Sequence, residues 1–334
     1  MSYLCRPSTG MEIIMERSLT VVMPDLPEEY AELIRKAADK YGFVCRFFDH
    51  PSQSLPFLVT TEVIFGGDPF LTRNAPALRW ICLPSAGIDP FLSDSAFANP
   101  AAWLTNSSGA YGVTISEHIL MLLLEILRRQ PEYQAHIKKG EWVRRLPIHS
   151  IHGSRITLLG TGDIGLETLR RLRGFNPAQI TGINRSGINP DNLFDRVLTN
   201  ASLNQVLPET DILIISLPGT KDTFHMISEK QLQFLPDEAV IINVGRGSVI
   251  HETALENELK KGRLYAGLDV FETEPIPSGS SLWKCPRLII TPHVAGDTTL
   301  PYTLKRIVEL FLEDFENYCN GRPLARLVDR RIGY

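Results

Sequence analysis

The sequence has few cysteines, and their number and spacing argue against a disulfide framework. Its 334 residues include five cysteines, which is an odd number, and no two of them form a C-x-x-C pair. Such a set is typical of free thiols in a reducing compartment. We therefore expect a cytoplasmic protein.

Long hydrophobic runs are also missing. A membrane-spanning helix needs about 20 consecutive apolar residues, whereas the longest candidate, Ile119 to Leu127, is short and contains Glu125. The first 17 residues lack the apolar core and cleavage site of a secretory signal. We expect these residues, 1–17, to form a flexible tail, and we expect no association with a membrane.

Neither sign of charge is in excess. The sequence has 34 Lys and Arg against 38 Asp and Glu, for a net charge of −4. This balance gives no reason to expect nucleic acid or an anionic membrane as a partner. His149 and His152 lie three residues apart, but no cysteine or carboxylate cluster accompanies them, so we expect no metal site.

Short apolar strands alternate with helical patterns along most of the chain. Strands are predicted first at Leu19–Met23, Phe43–Phe47, Val63–Gly66 and Trp80–Leu83. A second group is predicted at Arg155–Leu159, Gln179–Ile183, Asp211–Leu217, Ala239–Val244, Tyr265–Val270 and Leu288–Thr291. Nearly continuous apolar strands separated by helices indicate parallel sheets covered on both faces. The length also favours two domains.

A glycine-rich turn follows the first strand of the second group. The letters G-T-G-D-I-G place glycines at 160, 162 and 165, directly after an apolar strand and before a helical pattern. The motif alone is weak, but this strand–turn–helix context is the one in which a dinucleotide pyrophosphate rests on a helix N-terminus. The sequence therefore predicts a dinucleotide site.

The end of the next strand bears on the choice of dinucleotide. NAD-binding folds usually carry an acidic residue here for the ribose 2′-hydroxyl, but this chain has Asn184, Arg185 and Ser186. A guanidinium can bind a 2′-phosphate through two hydrogen bonds, and a serine can donate another. The alternative interpretation of Arg185 is a surface arginine in a turn. We expect NADP(H) to be preferred, with NAD(H) as the alternative.

Three later segments each follow an apolar strand: I-N-V-G-R-G-S-V-I around Arg246, G-L-D-V-F-E-T-E-P around Asp269 and Glu274, and T-P-H-V-A-G around His293. Ligands of open α/β sheets bind at the carboxyl ends of the strands. An arginine, carboxylates and a histidine are thus expected to converge there.

Together these motifs resemble the D-2-hydroxyacid dehydrogenase family, which includes glyoxylate and hydroxypyruvate reductases. The resemblance covers residues from about 60 to 300 and includes L-P-S-A-G-I-D at 83–89, N-S-S-G-A-Y-G-V-T-I-S-E-H at 106–118 and L-P-G-T-K-D-T-F-H-M-I at 217–227. It implies an α/β fold with two flavodoxin/Rossmann-like domains. The doubly wound cofactor domain, 110–296, would be inserted into a smaller substrate domain formed by 18–109 and 297–334.

The resemblance also implies roles for individual residues. Arg246 would bind the substrate carboxylate, His293 would be the general acid in reduction, and Glu274 would hold the other ring nitrogen. Asp269 would contact the nicotinamide amide. The implied cofactor-binding residues are Gly160, Gly162, Asp163, Ile164, Gly165, Asn184, Arg185, Ser186, Leu217, Pro218, Val244, Gly245 and Asp269. The implied substrate-binding residues are Gly66, Gly67, Ser85, Ala86, Gly87 and Arg246.

The predicted function is hydride transfer between NAD(P)H and a small 2-oxo acid or D-2-hydroxy acid, of the glyoxylate/hydroxypyruvate reductase type. Two alternatives remain open at this point. One is a phosphoglycerate dehydrogenase, and the other is a non-catalytic NAD(H)-sensing protein like the corepressors built on this fold. The apolar helix predicted from Ser116 to Arg129 matches the segment through which family members dimerise, so we expect a homodimer.

Overall fold

The computed structural model describes residues 16–333, which form two compact units. The first comprises the chain up to Pro84 together with Ser93–Thr105 and Phe311–Leu327. The second comprises Ser85–Leu92, Asn106–Leu310 and the C-terminal residues from Val328. Of the predicted N-terminal tail, residues 1–15 lie outside the described residues.

The first unit contains a five-stranded parallel sheet. Its strands are β1 (Arg17–Val22), β2 (Phe43–Phe48), β3 (Val63–Gly66), β4 (Trp80–Cys82) and β5 (Trp103–Thr105), in the order β2-β1-β3-β4-β5. Its helices are α1 (Glu28–Lys40), α2 (Leu55–Leu58) and α3 (Pro69–Arg73). Helix α1 buries Ala31, Ile34 and Ala38, whose spacing gives one apolar face. This strand order is that of flavodoxin-like folds.

The second unit is built on a seven-stranded parallel sheet. Its strands are β6 (Arg155–Leu159), β7 (Gln179–Asn184), β8 (Arg196–Thr199), β9 (Ile212–Ile215), β10 (Val240–Asn243), β11 (Tyr265–Leu268) and β12 (Leu288–Ile290). Its helices are α4 (Gly112–Leu127), α5 (Gln130–Lys138), α6 (Asp163–Arg173), α7 (Leu203–Val206), α8 (Glu229–Phe234) and α9 (Glu252–Lys260). Every residue of β9 and β10 is buried, as expected for central strands covered on both faces.

The strand order of this sheet, β12-β11-β10-β9-β6-β7-β8, identifies where a ligand crevice forms. Strand β6 pairs with β7 on one side and with β9 on the other, so the chain order reverses direction at β6. In open α/β sheets, ligands bind beyond the carboxyl ends of the strands at such a switch point. The predicted α/β, Rossmann-like fold class is confirmed.

A last helix, α10 (Pro301–Cys319), provides aromatic side chains to the core of the first unit. Phe311 stacks on Phe65 with ring centroids 4.2 Å apart and on Trp80 at 5.7 Å, and all three side chains are fully buried. Burying a phenylalanine side chain contributes about 1.5–3 kcal/mol to the free energy of unfolding.

The four cysteines in residues 16–333 are free thiols: Cys45, Cys82, Cys285 and Cys319. Burial raises the pKa of the Cys45 and Cys82 thiols to about 12, so both stay protonated at neutral pH. Over the same range, no helix is long and apolar enough to cross a membrane, and no three His, Cys, Asp or Glu side chains are grouped to hold a metal ion.

Candidate active site

The glycine-rich turn joins β6 to α6, and two of its glycines are required by close backbone contacts. Gly160 has φ +103°, and a Cβ there would lie 2.8 Å from the Ser216 hydroxyl oxygen and 3.1 Å from the Ser216 carbonyl oxygen. A Cβ on Gly165 would lie 2.2 Å from the Gly160 carbonyl oxygen. The third glycine therefore allows the helix to pack tightly against the turn.

The space at the N-terminus of α6 is open. No atom lies within 4 Å of a Cβ placed on Gly162, and no side chain caps the helix there. The first N–H groups of a helix have no partner within the helix and carry partial positive charge. The residues present thus fit a dinucleotide pyrophosphate, which the backbone of 162–165 would hold.

Asp163, in the first turn of α6, directs its carboxylate to another helix. Its Oδ2 accepts a hydrogen bond from the Gly112 N–H at 2.7 Å, at the start of α4. Burial raises the pKa of the Asp163 carboxyl, and the N–H of Gly112 partly opposes this effect. The side chain therefore joins two helix N-termini, while Ile164 follows it in the first turn of α6.

At the end of β7, Asn184 is a scaffold for the loop that follows. Its Nδ2 donates to Thr161 Oγ1 and to the Ile188 carbonyl, both at 2.8 Å, and its Oδ1 accepts from the Gly187 N–H at 2.6 Å. The two neighbouring residues, Arg185 and Ser186, lie exposed. The end of this strand thus presents a guanidinium and a hydroxyl.

The loops after β9 and β10 touch each other. A Cβ on Gly245 would lie 2.5 Å from the Leu217 carbonyl oxygen, so only glycine fits between them. Asn243, fully buried at the end of β10, accepts from the Gly245 N–H at 3.1 Å and donates to the Arg246 carbonyl at 3.0 Å. This amide fixes the loop that carries Val244, Gly245 and Arg246. Pro218, beside Leu217, accepts a hydrogen bond from the Thr223 hydroxyl at 2.6 Å.

Arg246 is held by a carboxylate that the sequence analysis did not single out. Its Nε and Nη2 donate to Asp89 Oδ2 at 3.1 and 2.8 Å, and its Nη1 donates to the Gly245 carbonyl at 2.7 Å. Burial, the largest single influence, raises the pKa of the Asp89 carboxyl. The hydrogen bonds and charge of Arg246, aided by His293, outweigh it and keep that pKa below its usual value.

The loop of Ser85, Ala86 and Gly87 lies against this ion pair. A Cβ on Gly87 would lie 1.9 Å from Arg246 Nη2, so the guanidinium packs directly on the loop backbone. Ser85 Oγ donates to the Gly87 carbonyl at 2.8 Å, and Asn106 Nδ2 donates to the Ala86 carbonyl at 2.7 Å. Neither the Ala86 nor the Gly87 N–H donates to an acceptor within residues 16–333. The loop thus offers two backbone donors next to a guanidinium.

His293 is paired with Glu274. Its Nδ1 lies 2.6 Å from Glu274 Oε2, and Glu274 Oε1 accepts from the Phe271 N–H at 2.9 Å. The Nε2 atom has no hydrogen-bond partner among the described residues, and 48% of the histidine side chain is exposed. The carboxylate therefore orients the ring and leaves its other nitrogen accessible.

Asp269 is buried beneath the loop that carries His293. Its Oδ1 accepts from the Thr291 hydroxyl at 2.6 Å and from the Val294 N–H at 3.0 Å, and its Oδ2 accepts from the Ala295 N–H at 2.9 Å. These bonds hold both ends of the segment around His293, whose φ of +56° is left-handed. Asp269 thus fixes this loop, and its predicted contact with the nicotinamide amide stays a prediction.

The predicted site residues are therefore distributed unequally. Gly66 and Gly67 belong to the first unit, where Gly66 ends β3 and a Cβ on it would lie 2.9 Å from Leu71 Cδ1. All other predicted site residues belong to the second unit. Asp89 and Asn243 were missed. The only signal for Asp89 was its place two residues after Gly87 in the L-P-S-A-G-I-D motif.

Comparisons with known proteins identify the family of the chain. A family model described as "D-isomer specific 2-hydroxyacid dehydrogenase, NAD binding domain" matches residues 120–295. Glyoxylate/hydroxypyruvate reductase B of Pectobacterium carotovorum is 32% identical over 283 residues, which cover 82% of this chain and 88% of that protein. The glyoxylate reductase of Thermofilum pendens is 28% identical over 98% of this chain and 93% of its own length.

Solved structures agree as well. A D-isomer specific 2-hydroxyacid dehydrogenase family protein from Aeromonas salmonicida has a TM-score of 0.82 at 30% identity, covering 94% of this chain and 99% of that one. An NADPH-dependent glyoxylate/hydroxypyruvate reductase from Sinorhizobium meliloti, solved with NADP and sulfate, has a TM-score of 0.80 at 27% identity, covering 95% and 100%. The chain therefore belongs to the D-isomer-specific 2-hydroxyacid dehydrogenase family of NAD(P)-dependent oxidoreductases.

Proposed function

We propose that the protein reduces small 2-oxo monocarboxylic acids of the glyoxylate and hydroxypyruvate type to D-2-hydroxy acids, with NADPH preferred over NADH. The observation that carries the proposal is that one unit holds the His293–Glu274 pair, the Asp89–Arg246 pair and the glycine-rich turn. The glyoxylate and hydroxypyruvate reductases among its relatives support the substrate class.

Arg246 and the 85–87 loop hold the substrate carboxylate in this mechanism. The guanidinium has five N–H donors in a plane, and three of them are used by Asp89 and Gly245. The remaining donors, with the Ala86 and Gly87 N–H groups, bind the carboxylate and polarise the neighbouring carbonyl.

His293 moves the proton. The bound nicotinamide dinucleotide is the source of the hydride that the carbonyl carbon accepts. His293 donates the Nε2 proton to the carbonyl oxygen as that oxygen gains negative charge, and it removes the proton in the reverse reaction. Glu274, bonded to Nδ1 at 2.6 Å, keeps the ring oriented with Nε2 outward and stabilises the imidazolium.

The cofactor preference depends on the end of β7. A carboxylate there would repel a 2′-phosphate, but the chain has Arg185 and Ser186, and both are exposed. A guanidinium binds phosphate through two parallel hydrogen bonds. The solved Sinorhizobium meliloti reductase, named as NADPH-dependent, supports the same preference.

The experiment is a spectrophotometric assay of the purified chain with glyoxylate, hydroxypyruvate and pyruvate, each with NADPH and with NADH. We expect kcat/KM with NADPH to exceed that with NADH by at least about tenfold. Arg185→Ala should lose about tenfold with NADPH alone. Arg155→Ala is the matched control: this arginine begins β6, at the end of the strand away from the glycine-rich turn, so its loss should not change the cofactor preference. Equal rates with both dinucleotides would reject the preference, and reduction of no 2-oxo acid would reject the function.

We also propose that the protein is a cytoplasmic homodimer. Helix α4 and the segment after it expose apolar side chains: Met121, Leu124, Ile137, Trp142 and Ile148. Exposed apolar side chains on and after one helix favour association with a second copy. Light scattering after gel filtration should give twice the chain mass of 37.5 kDa. A monomer at micromolar concentration would contradict the proposal.

A further inference from the structure

Asp89 and Arg246 form an ion pair that two loops are shaped to accommodate. The pair lies between Gly87 and Gly219: a Cβ on Gly87 would meet Arg246 Nη2 at 1.9 Å and Asp89 Oδ2 at 3.3 Å. A Cβ on Gly219 would lie 3.2 Å from Arg246 Cγ and 3.4 Å from Asp89 Oδ1. Side chains at either glycine would crowd the pair, so its position is built into both loops.

The hydrogen bonds of Arg246 leave one edge of the guanidinium for a ligand. Asp89 accepts from Nε and Nη2, which form the side edge of the group, and Gly245 accepts from one N–H of Nη1. Of the five donors, one on Nη1 and one on Nη2 remain, and the one on Nη2 points from the end of the guanidinium because its other N–H lies on the side edge. These two donors can bind a single carboxylate.

Asp89 also adds a negative charge next to the position of the substrate. Arg246 keeps the pKa of the Asp89 carboxyl low against the effect of burial, so Asp89 is ionised at neutral pH. A bound monocarboxylate brings the net charge of Arg246, Asp89 and ligand to −1, whereas a dicarboxylate brings it to −2. Like charges around one cation repel each other, and because 49% of the Asp89 side chain is exposed, solvent screens part of this repulsion.

We propose that Asp89 is a positioning and specificity-determining residue, which orients Arg246 for end-on binding of one carboxylate and disfavours substrates with a second negative charge. This inference rests on the proposed function and narrows its substrate class to 2-oxo monocarboxylates. Asp89 acts on the substrate through Arg246 and through its own charge, and it takes no part in proton transfer.

The test compares glyoxylate with ketomalonate, which carries one additional carboxylate, using the full chain and NADPH. The selectivity ratio is kcat/KM for glyoxylate divided by kcat/KM for ketomalonate. In Asp89→Asn we expect kcat/KM for glyoxylate to fall about 10- to 100-fold because Arg246 loses its orientation. The selectivity ratio should shrink at least about tenfold because the repelling charge is gone.

Two further variants separate charge from geometry. Asp89→Glu keeps the charge on a longer side chain, so kcat/KM should fall while the selectivity ratio stays within about threefold of the wild type. Asp211→Asn removes a carboxylate from the Asp211–Arg155 ion pair, in which Oδ1 and Nη2 lie 3.0 Å apart. This pair lies at the amino ends of β6 and β9, away from the proposed site. In this variant, kcat/KM for glyoxylate and kcat/KM for ketomalonate should both stay within about twofold of the wild type.

Each outcome decides the matter. An Asp89→Asn enzyme with wild-type kcat/KM overturns the positioning role, and a slower enzyme with an unchanged ratio overturns the selectivity role. If Asp89→Asn does not fold, a collapsed ratio in Asp89→Glu overturns the proposal. If the wild type reduces neither acid, the proposed function fails, and calorimetry with glycolate and tartronate then tests Asp89 without turnover. If the ratio of the glycolate and tartronate affinities is the same in the wild type and in Asp89→Asn, the inference is rejected.

Discussion

Two histidines of the second unit are held in nearly the same way. His293 Nδ1 lies 2.6 Å from Glu274 Oε2, and His225 Nε2 lies 2.9 Å from Glu272 Oε1. Both histidines have left-handed backbones, with φ of +56° and +49°. Both glutamates also accept a backbone N–H: Glu274 from Phe271, and Glu272 from the residue that opens α9. By local geometry alone, either pair could serve in acid–base chemistry.

Their surroundings differ. The His225 ring stacks on Phe224 at 3.9 Å and lies 4.6 Å from the His251 ring, and 26% of its side chain is exposed. His293 is 48% exposed, and its charge helps to keep the pKa of the carboxyl of Asp89, the partner of Arg246, below its usual value. A histidine–carboxylate pair thus orients a ring in both places. Of the two histidines, His293 is the one whose charge acts on Asp89, the partner of the arginine that we propose holds the substrate carboxylate.

The largest expected effect separates the two histidines directly. His293→Asn should lower kcat about 10²- to 10⁴-fold because the general acid is lost. His225→Asn should leave kcat within about twofold because the contacts of that ring with Glu272, Phe224 and His251 are structural. Asparagine tolerates the left-handed backbone at both positions. Steady-state kinetics give the comparison, and NADPH binding followed by fluorescence checks that each variant is folded. Similar losses in both variants would refute the distinction drawn between the pairs.

A smaller effect is expected from the two carboxylates. Glu274→Gln keeps a hydrogen-bond acceptor for His293 but removes the charge that stabilises the imidazolium, so kcat should fall about 10- to 100-fold. Glu272→Gln, two residues away, makes the same chemical change beside His225 and should leave kcat unchanged. The measurement is kcat at saturating substrate. A large loss in Glu272→Gln would mean that the second pair also takes part in the reaction.

The fold was largely predictable because the inner strands are continuous apolar runs. Strands β9 and β10 are fully buried and were predicted with boundaries close to those observed. The sequence analysis missed β5 and β8, each of which lies at the edge of its sheet. The edge strands β2 and β12 were predicted because they carry apolar runs, whereas β5 (W-L-T) and β8 (R-V-L-T) each have only two apolar residues in a row, so neither gives a clear apolar run.

Site residues that stand in a sequence motif were predictable. Residues whose role depends on a partner far away in the sequence were not. Arg246, Glu274 and His293 each stand in a distinctive motif after a strand. Asp89, in contrast, meets Arg246 across 157 positions of sequence, and no local pattern indicates that contact. Asn243 was likewise missed, because a buried asparagine at a strand end is not distinguished by sequence from a residue in a turn.

The smallest expected effect concerns stability at the His225 pair. Glu252 lies beside Glu272, and burial, together with the charge of Glu272, raises the pKa of the Glu252 carboxyl. Since the folded-state pKa is raised, protonation favours the folded state, and this stability is lost as pH rises through the raised value. Glu252→Gln should therefore increase Tm at pH 7 by about 1–2 °C. The gain in Tm should vanish at a pH below the ordinary pKa of a glutamate, where the protonated Glu252 of the wild type and the glutamine of the variant are both neutral.

Thermal unfolding at pH 7 and at pH 4, with kcat measured in parallel, tests this last expectation. An increase in Tm without a change in kcat would assign the His225 pair and its carboxylates to structure. A change in kcat would instead connect this cluster to the reaction, and the contrast between the two histidines would fail. Because the two glutamates that hold them are separated by one residue, both pairs share the segment from Phe271 to Glu274. The contrast therefore depends on what each ring faces and not on how it is held.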